Sequence, residues 1–163
     1  MSLSIHSEEN YGIVIHGGAG VMSGLSAQNQ EEIHEKIRET LTAAYQILEN
    51  GGSSLDSVEL AVSMLEDSPL FNAGKGSVYN SDEKQEMDAS IMDGKDRLTG
   101  AVASVSIVKN PIRLARKVAE ETEHVLLVGE GAERFAKKIG VEIVDEQYFF
   151  HEERLERLSL IHI

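Results

Sequence analysis

The stretch "EMDASIMDGKDRLTGAVASVSIV", residues 86–108, decides the fold. Met87, Ala89 and Ile91 alternate with Asp88, Ser90 and Met92, the period of a half-buried strand. Leu98 to Val108 alternates more loosely, with small residues on one side. Asp93-Gly94 between the two runs predicts a hairpin turn, because glycine accepts positive φ. Helical segments flank this pair. Ile33, Ile37, Leu41, Ala44 and Leu48 form one apolar stripe over about residues 27–50, stopped by Gly51 and Gly52. Ser53 and Asp56 have capping-box spacing. Leu55, Val58, Ala61, Val62 and Leu65 then carry a second helix to about Glu66, which Pro69 cannot extend. Beyond the hairpin, Asn110 and Pro111 predict the cap and first turn of a helix through "NPIRLARKVAEE". "HVLLVG" reads as a buried strand and "EGAERFAKKIG" as a short helix closed by Gly140. With Gly12 to Ile15 as a short buried strand, the order is β-α-α-β-β-α-β-α. That pattern predicts an α+β fold, a sheet against helices, and not a doubly wound parallel sheet.

Composition narrows the function. The chain has 163 residues, enough for one domain with a real core, and 41% are hydrophobic. Acidic residues number 28 against 15 Lys plus Arg, giving a formal net charge of −13. Such a surface repels phosphate backbones and anionic membranes, and no basic run interleaves with aromatics, so neither nucleic acid nor membrane is an expected partner. Most of these carboxylates read as solubilising surface charge. No apolar run approaches bilayer length. The N-terminal "MSLSIHSEEN" lacks the basic and hydrophobic regions of a secretory signal. The absence of cysteine excludes disulfides, thiolate metal sites and a cysteine nucleophile, and fits a reducing compartment.

Two glycine-rich loops hold the candidate chemistry. "HGGAGVMSG", residues 16–24, has neither the G-x-G-x-x-G nor the G-x-x-x-x-G-K-[ST] spacing of a phosphate cradle; read alone, it is a tight turn where backbones approach closely. "PLFNAGKGS", residues 69–77, places the Asn72 carboxamide between a helix end and a strand. It can orient a catalytic group, or satisfy turn backbone. Lys75 lacks the surroundings of a phosphate lysine. The histidines have no zinc-ligand spacing; His6 and His34 read as surface residues. Asp88 and Asp93 are open to an acid/base reading, but turn and strand-end roles are favoured for them.

Taken in order, "VIHGGAG", "LEDSPLFNAGKGSV", "EMDASIMDG", "GAVASVSIVKNPIRLARKV" and "HVLLVGEGAERFA" resemble the plant-type asparaginase/isoaspartyl peptidase family, and the long "EMDASIMDGKD" string its cytoplasmic animal branch. The resemblance covers residues 11–157. It implies the α-chain part of an αββα four-layer N-terminal-nucleophile (Ntn) hydrolase sandwich, lacking the β-chain half. Members of that family are made as one precursor, which cuts itself before a threonine. The new N-terminal threonine is the nucleophile and its own α-amine the base. It hydrolyses L-asparagine to aspartate and ammonia, and the β-linked bond of isoaspartyl dipeptides.

By resemblance, His16, Gly17 and Gly18 belong to a loop that influences autocleavage and site shape, and Asn72 positions the nucleophile. Leu65, Glu66, Ser68, Phe71, Ala73 and Lys75 match a sodium-binding loop whose ligands are mainly backbone carbonyls, as suits a hard cation. No organic cofactor is implied. The implied partners are the small-molecule substrate, the β chain of the same precursor and a second precursor in an (αβ)2 homodimer; the implied location is the cytoplasm. Thr99, in "LTGAV", lacks the preceding glycine of the nucleophile pattern and belongs to the hairpin, so the nucleophile is expected outside this chain. The chain alone is then expected to be inactive and, with an uncovered apolar face, prone to aggregate.

Residues 1–10 are expected to be disordered. The final "LSLIHI", residues 158–163, matches one reading frame of a sequencing-library adapter and is expected to be a non-native tail. The alternative reading of the whole is a non-catalytic split or decayed paralogue that binds a full-length partner. A lysosomal glycosylasparaginase is disfavoured by the missing signal and cysteines, and a threonine-aspartase by the form of the glycine loop.

Overall fold

A computed structural model describes residues 2–6, 11–18 and 24–161. The chain divides into two compact units, residues 1–65 and 66–163.

In the first unit, β1 (Ser2–His6) pairs antiparallel with β2 (Gly12–His16), Leu3 facing Ile15 and Ile5 facing Ile13. No element was expected before Tyr11, so β1 is an addition to the sequence reading. Ile13 and Ile15 are buried while Val14 is exposed, the alternation of a one-sided strand. Helix α1 (Ala27–Glu49) packs on both strands. Ser26 caps it, its hydroxyl accepting from the Asn29 amide at 3.1 Å, and Ile37, Leu41 and Ala44 of the predicted stripe are buried. Helix α2 (Ser54–Glu66) begins with the expected capping box. Asp56 N–H donates to Ser53 Oγ at 3.1 Å, and Ser53 N–H donates back to the Asp56 carboxylate at 3.4 Å. Buried Ser57 ties α2 to α1 by donating to the Ala44 carbonyl at 2.8 Å.

The second unit is built on a three-stranded sheet of order β3-β4-β5: β3 (Met87–Met92), β4 (Thr99–Val105) and β5 (Leu126–Val128). β3 and β4 are antiparallel, with Met92 opposite Thr99 and a bulge between Met87 and Ala89; β4 and β5 are parallel, joined through α3 (Pro111–Glu121). Helices α4 (Gly129–Ile139) and α5 (Glu152–Ile161) follow, and Gly140 closes α4 in the left-handed conformation at φ 78°.

α3 covers one sheet face with Ile112, Leu114, Ala115, Val118 and Ala119, all buried. The approach is close because β4 offers a glycine. A Cβ built on Gly100 would strike the Ala115 carbonyl oxygen and lie 2.7 Å from the Ala119 Cβ. The small residues noted in this strand therefore set the helix–sheet distance.

Three expectations need correction. The hairpin forms where Asp93-Gly94 marks it, but the glycine's freedom to take positive φ is not what turns it. Six residues join Met92 to Thr99, closed by Asp93 N–H donating to the Leu98 carbonyl at 2.8 Å, and Arg97, not Gly94, takes positive φ (57°). Asn110 precedes α3 but makes no side-chain cap. "HVLLVG" is not a buried strand: β5 is three residues long at the sheet edge, with Val125, Leu126 and Val128 each more than half exposed. An apolar edge run is indistinguishable in sequence from a central one.

Gly100→Ala should lower stability by about 1–3 kcal/mol, the usual cost of overpacking, and Gly100→Val by more. A urea midpoint measured for each variant checks the order.

Candidate active-site loop

The second glycine loop is built by its own backbone. Asp67 follows the end of α2, and Ser68 accepts from the Leu70 amide through its hydroxyl at 3.4 Å, turning the chain at Pro69. A 3₁₀ turn over Gly74–Gly76 follows, with Gly76 N–H on the Ala73 carbonyl and Ser77 N–H on the Gly74 carbonyl, both 3.0 Å. Both glycines are required. A Cβ on Gly74 (φ 48°) would strike the Glu66 carbonyl oxygen, and one on Gly76 would strike that of Phe71 and lie 2.6 Å from that of Pro69. Gly74 thus packs against the Glu66 carbonyl oxygen and Gly76 against those of Pro69 and Phe71; carbonyl oxygens are the kind of donor that suits a hard cation. Glu66 and Phe71 are two of the six positions the resemblance nominates. Of the others, Leu65 and Ser68 are buried and Ala73 is half-buried, its carbonyl engaged by Gly76. The Lys75 side chain is exposed and directs its ammonium over the Tyr148 ring, 5.4 Å from the centroid, so it puts no charge inside the loop. Among the described residues, no group of three or more His, Asp or Glu gathers as metal ligands.

Asn72 is exposed on this loop. Its Oδ1 accepts from the Val78 amide at 2.9 Å, so the carboxamide plane is fixed across a six-residue span. The bland reading, an Asn satisfying turn backbone, is therefore met. A fixed Oδ1 also fixes where Nδ2 points, which is what an orienting role needs. Further along, Gln85 donates to the Ser77 carbonyl at 2.8 Å. Asn80 closes the next turn by accepting from the Asp82 and Lys84 amides at 2.9 and 3.0 Å.

What the sequence reading missed is the side chain of Glu66. The residue is 3% exposed, and its Oε1 accepts from the Ile112 N–H at 3.0 Å. It therefore caps the α3 N-terminus from 46 residues away in place of Asn110. Asn110, itself buried, donates instead to Asp67 Oδ1 at 3.1 Å. Among the described residues, Glu66 Oε2 has no hydrogen-bond partner. Burial pushes the Glu66 carboxyl up from an ordinary 4.5 to about 8, with Asp67 adding to the rise and Ile112, Asn110 and Arg113 opposing it. The only available signal was the apolar run ending in "LED" just before a proline, and it does not distinguish a buried carboxyl from a solvated one.

The other nominated residues come from other segments of the chain. His16 is exposed at the end of β2, Gly17 is half-buried and Gly18 takes φ 106°. No described residue lies within 4 Å of a Cβ on Gly18, so conformation, not crowding, requires that glycine. Residues 19–23 of this loop lie outside the described set. Asp88 Oδ1 accepts from the Ser104 amide at 2.9 Å across the β-bulge, and Asp93 Oδ1 from the Lys95 amide at 2.9 Å; both make the strand-end and turn contacts favoured for them. Thr99 is an internal strand residue whose hydroxyl donates to the Arg97 carbonyl at 3.2 Å. It has no free α-amine and is not an N-terminal nucleophile.

The family profile described as asparaginase matches residues 9–161. The chain belongs to the asparaginase family. This member is 45% identical over 147 residues to the human isoaspartyl peptidase/L-asparaginase, covering 90% of this chain and 47% of that protein. It is 51% identical over 129 residues to the rat isoaspartyl peptidase/L-asparaginase, covering 79% and 38%. Against the plant-type L-asparaginase of Thermococcus kodakarensis it is 50% identical over 145 residues, covering 89% and 45%. The asparaginase-family chain thus spans less than half the length of these curated relatives. Among its described residues, no helix is long and apolar enough to cross a membrane.

The sign of the pH dependence follows from Glu66. Its folded carboxyl holds a proton that the unfolded chain releases above about 4.5. Stability should be full below pH 4.5 as far as this group is concerned and fall as pH rises towards 8, with a slope approaching ~1.4 kcal/mol per pH unit for one proton. Glu66→Gln should flatten that slope. Urea midpoints from pH 5 to 8 in sodium-free buffer check this; parallel slopes for the two proteins would contradict it.

Proposed function

We propose that this chain is the α part of a threonine-dependent amidohydrolase that converts L-asparagine to aspartate and ammonia and cleaves β-aspartyl dipeptides. The observation that supports the reading is the family match over residues 9–161, with 45–51% identity to relatives bearing the asparaginase and isoaspartyl peptidase names. Under it, a precursor cuts itself ahead of a threonine in the portion that this chain does not share with its relatives. That threonine's hydroxyl attacks the side-chain amide carbon of asparagine, its own α-amine takes the hydroxyl proton, and ammonia leaves from the tetrahedral intermediate. Water then releases aspartate. In this chain Asn72, held by Val78, orients the attacking group, and the loop of His16, Gly17 and Gly18 flanks the processing site.

The backbone carbonyls of Leu65, Glu66, Ser68, Phe71, Ala73 and Lys75 would hold a sodium ion. When bound, the ion supplies a fixed positive charge that ties the loop oxygens together. The Ntn sandwich, with a second sheet over the open face of β3-β4-β5, the β chain as partner, the (αβ)2 dimer and a cytoplasmic location belong to the same reading.

Without a threonine α-amine in reach, the 163-residue chain should release no ammonia from L-asparagine or from an isoaspartyl dipeptide. Paired with a threonine-headed β chain it should do so, and Asn72→Ala in that pair should lower kcat by about a hundredfold, the scale of a misplaced reacting group. Turnover by the chain alone would refute its inactivity. Silence of a folded pair would refute the enzyme reading.

A further inference from the structure

We infer that the Glu66 side chain is a positioning residue, one that locks the Asn72 loop to the first turn of α3. The role is separate from that of the Glu66 backbone carbonyl, and Asn72 acquires catalytic meaning only under the function proposed above.

Three observations converge on it. The first is the reach of the side chain: from the end of α2, Oε1 meets the Ile112 amide at 3.0 Å, an N–H that no residue of its own helix can satisfy. The second is the packing behind it. Gly74, two residues from Asn72, lies so close to Glu66 that a Cβ there would be 2.7 Å from the Glu66 Cβ and in collision with its carbonyl. Moving Glu66 therefore moves the 3₁₀ turn. The third is the lack of any substitute. The sequence-nominated cap, Asn110, makes no side-chain cap on α3 and donates to Asp67, and Glu66 Oε2 has no hydrogen-bond partner among the described residues. A buried carboxyl with an idle oxygen is costly, and nothing in surface packing requires one. The loop then transmits the position to Asn72 through the Val78 N–H···Oδ1 bond of 2.9 Å. Asp67 and Arg113 are the charged groups that face Glu66, and neither replaces its contact with Ile112.

The Val78 amide supplies the readout, because it is protected only while Asn72 Oδ1 holds it. Hydrogen exchange on the full 163-residue chain, resolved to peptides containing Val78 and Ile112, tests the inference for Glu66→Gln, Glu66→Ala and Glu66→Asp. Gln keeps both the acceptor and the length and should leave both amides protected as in the parent. Ala removes the acceptor, and Asp, one methylene shorter, withdraws it. Both should speed exchange at Val78 and Ile112 together by about tenfold or more, with α4 amides unchanged. Wild-type protection at Val78 in Glu66→Asp, or loss of protection in Glu66→Gln, overturns the inference. If Glu66→Ala unfolds the second unit altogether, the Asp and Gln pair still decides. The readout involves no turnover, so it stands or falls apart from the asparaginase reading: protection can follow this pattern in a chain that never hydrolyses anything, and a working enzyme can break it.

Discussion

The contact between the Glu66 carboxyl and the Ile112 amide joins the two parts of the second unit on which the rest depends. On one side of it lies the loop that ends α2, on the other the helix that covers the sheet. α3 must start where the carboxyl can reach it. It must also lie flat on β4, where Gly100 leaves no room between strand and helix. Those two constraints, one polar at the N-terminus and one steric in the middle, fix the helix in translation and in height. The loop inherits the result, because Gly74 rests against Glu66 and Asn72 lies two residues before Gly74.

Much of this was legible in the sequence. The stripe of α1, the capping box of α2, the two strands of the hairpin and the glycine stop of α4 are local signals, and the structure has each where the pattern put it. One failure came where a nonlocal partner outcompeted a local rule. Asn110 has the composition of a cap, yet a carboxyl from the preceding helix occupies the position and Asn110 turns to Asp67. Asp93-Gly94 marks the hairpin correctly, yet the positive φ expected of Gly94 falls on Arg97. The apolar content of "HVLLVG" says strand and cannot say edge.

The candidate site was legible in its parts but not in its assembly. Asn72 and the glycines stand out as residue types. That a carboxyl just before the loop would be buried, with one oxygen on a helix amide and the other idle, depends on α3 arriving from later in the chain. Lys75, whose surroundings do not build a phosphate site, rests its ammonium on the face of Tyr148, where the ring quadrupole attracts it.

The span of the Glu66–Ile112 bond also bears on the order in which the molecule can be assembled. Local features such as the Ser53–Asp56 box close within a single turn, as soon as those residues leave the ribosome. The loop behind Asn72 cannot settle that early: its anchor lies 46 residues downstream, and the contact of Tyr79 with His151 closes a span of 72. Ordering of this loop is a late, nonlocal event that follows formation of the sheet and α3, with the entropy of a long closure set against it. A segment arranged in that way becomes geometrically competent only once the scaffold around it is complete.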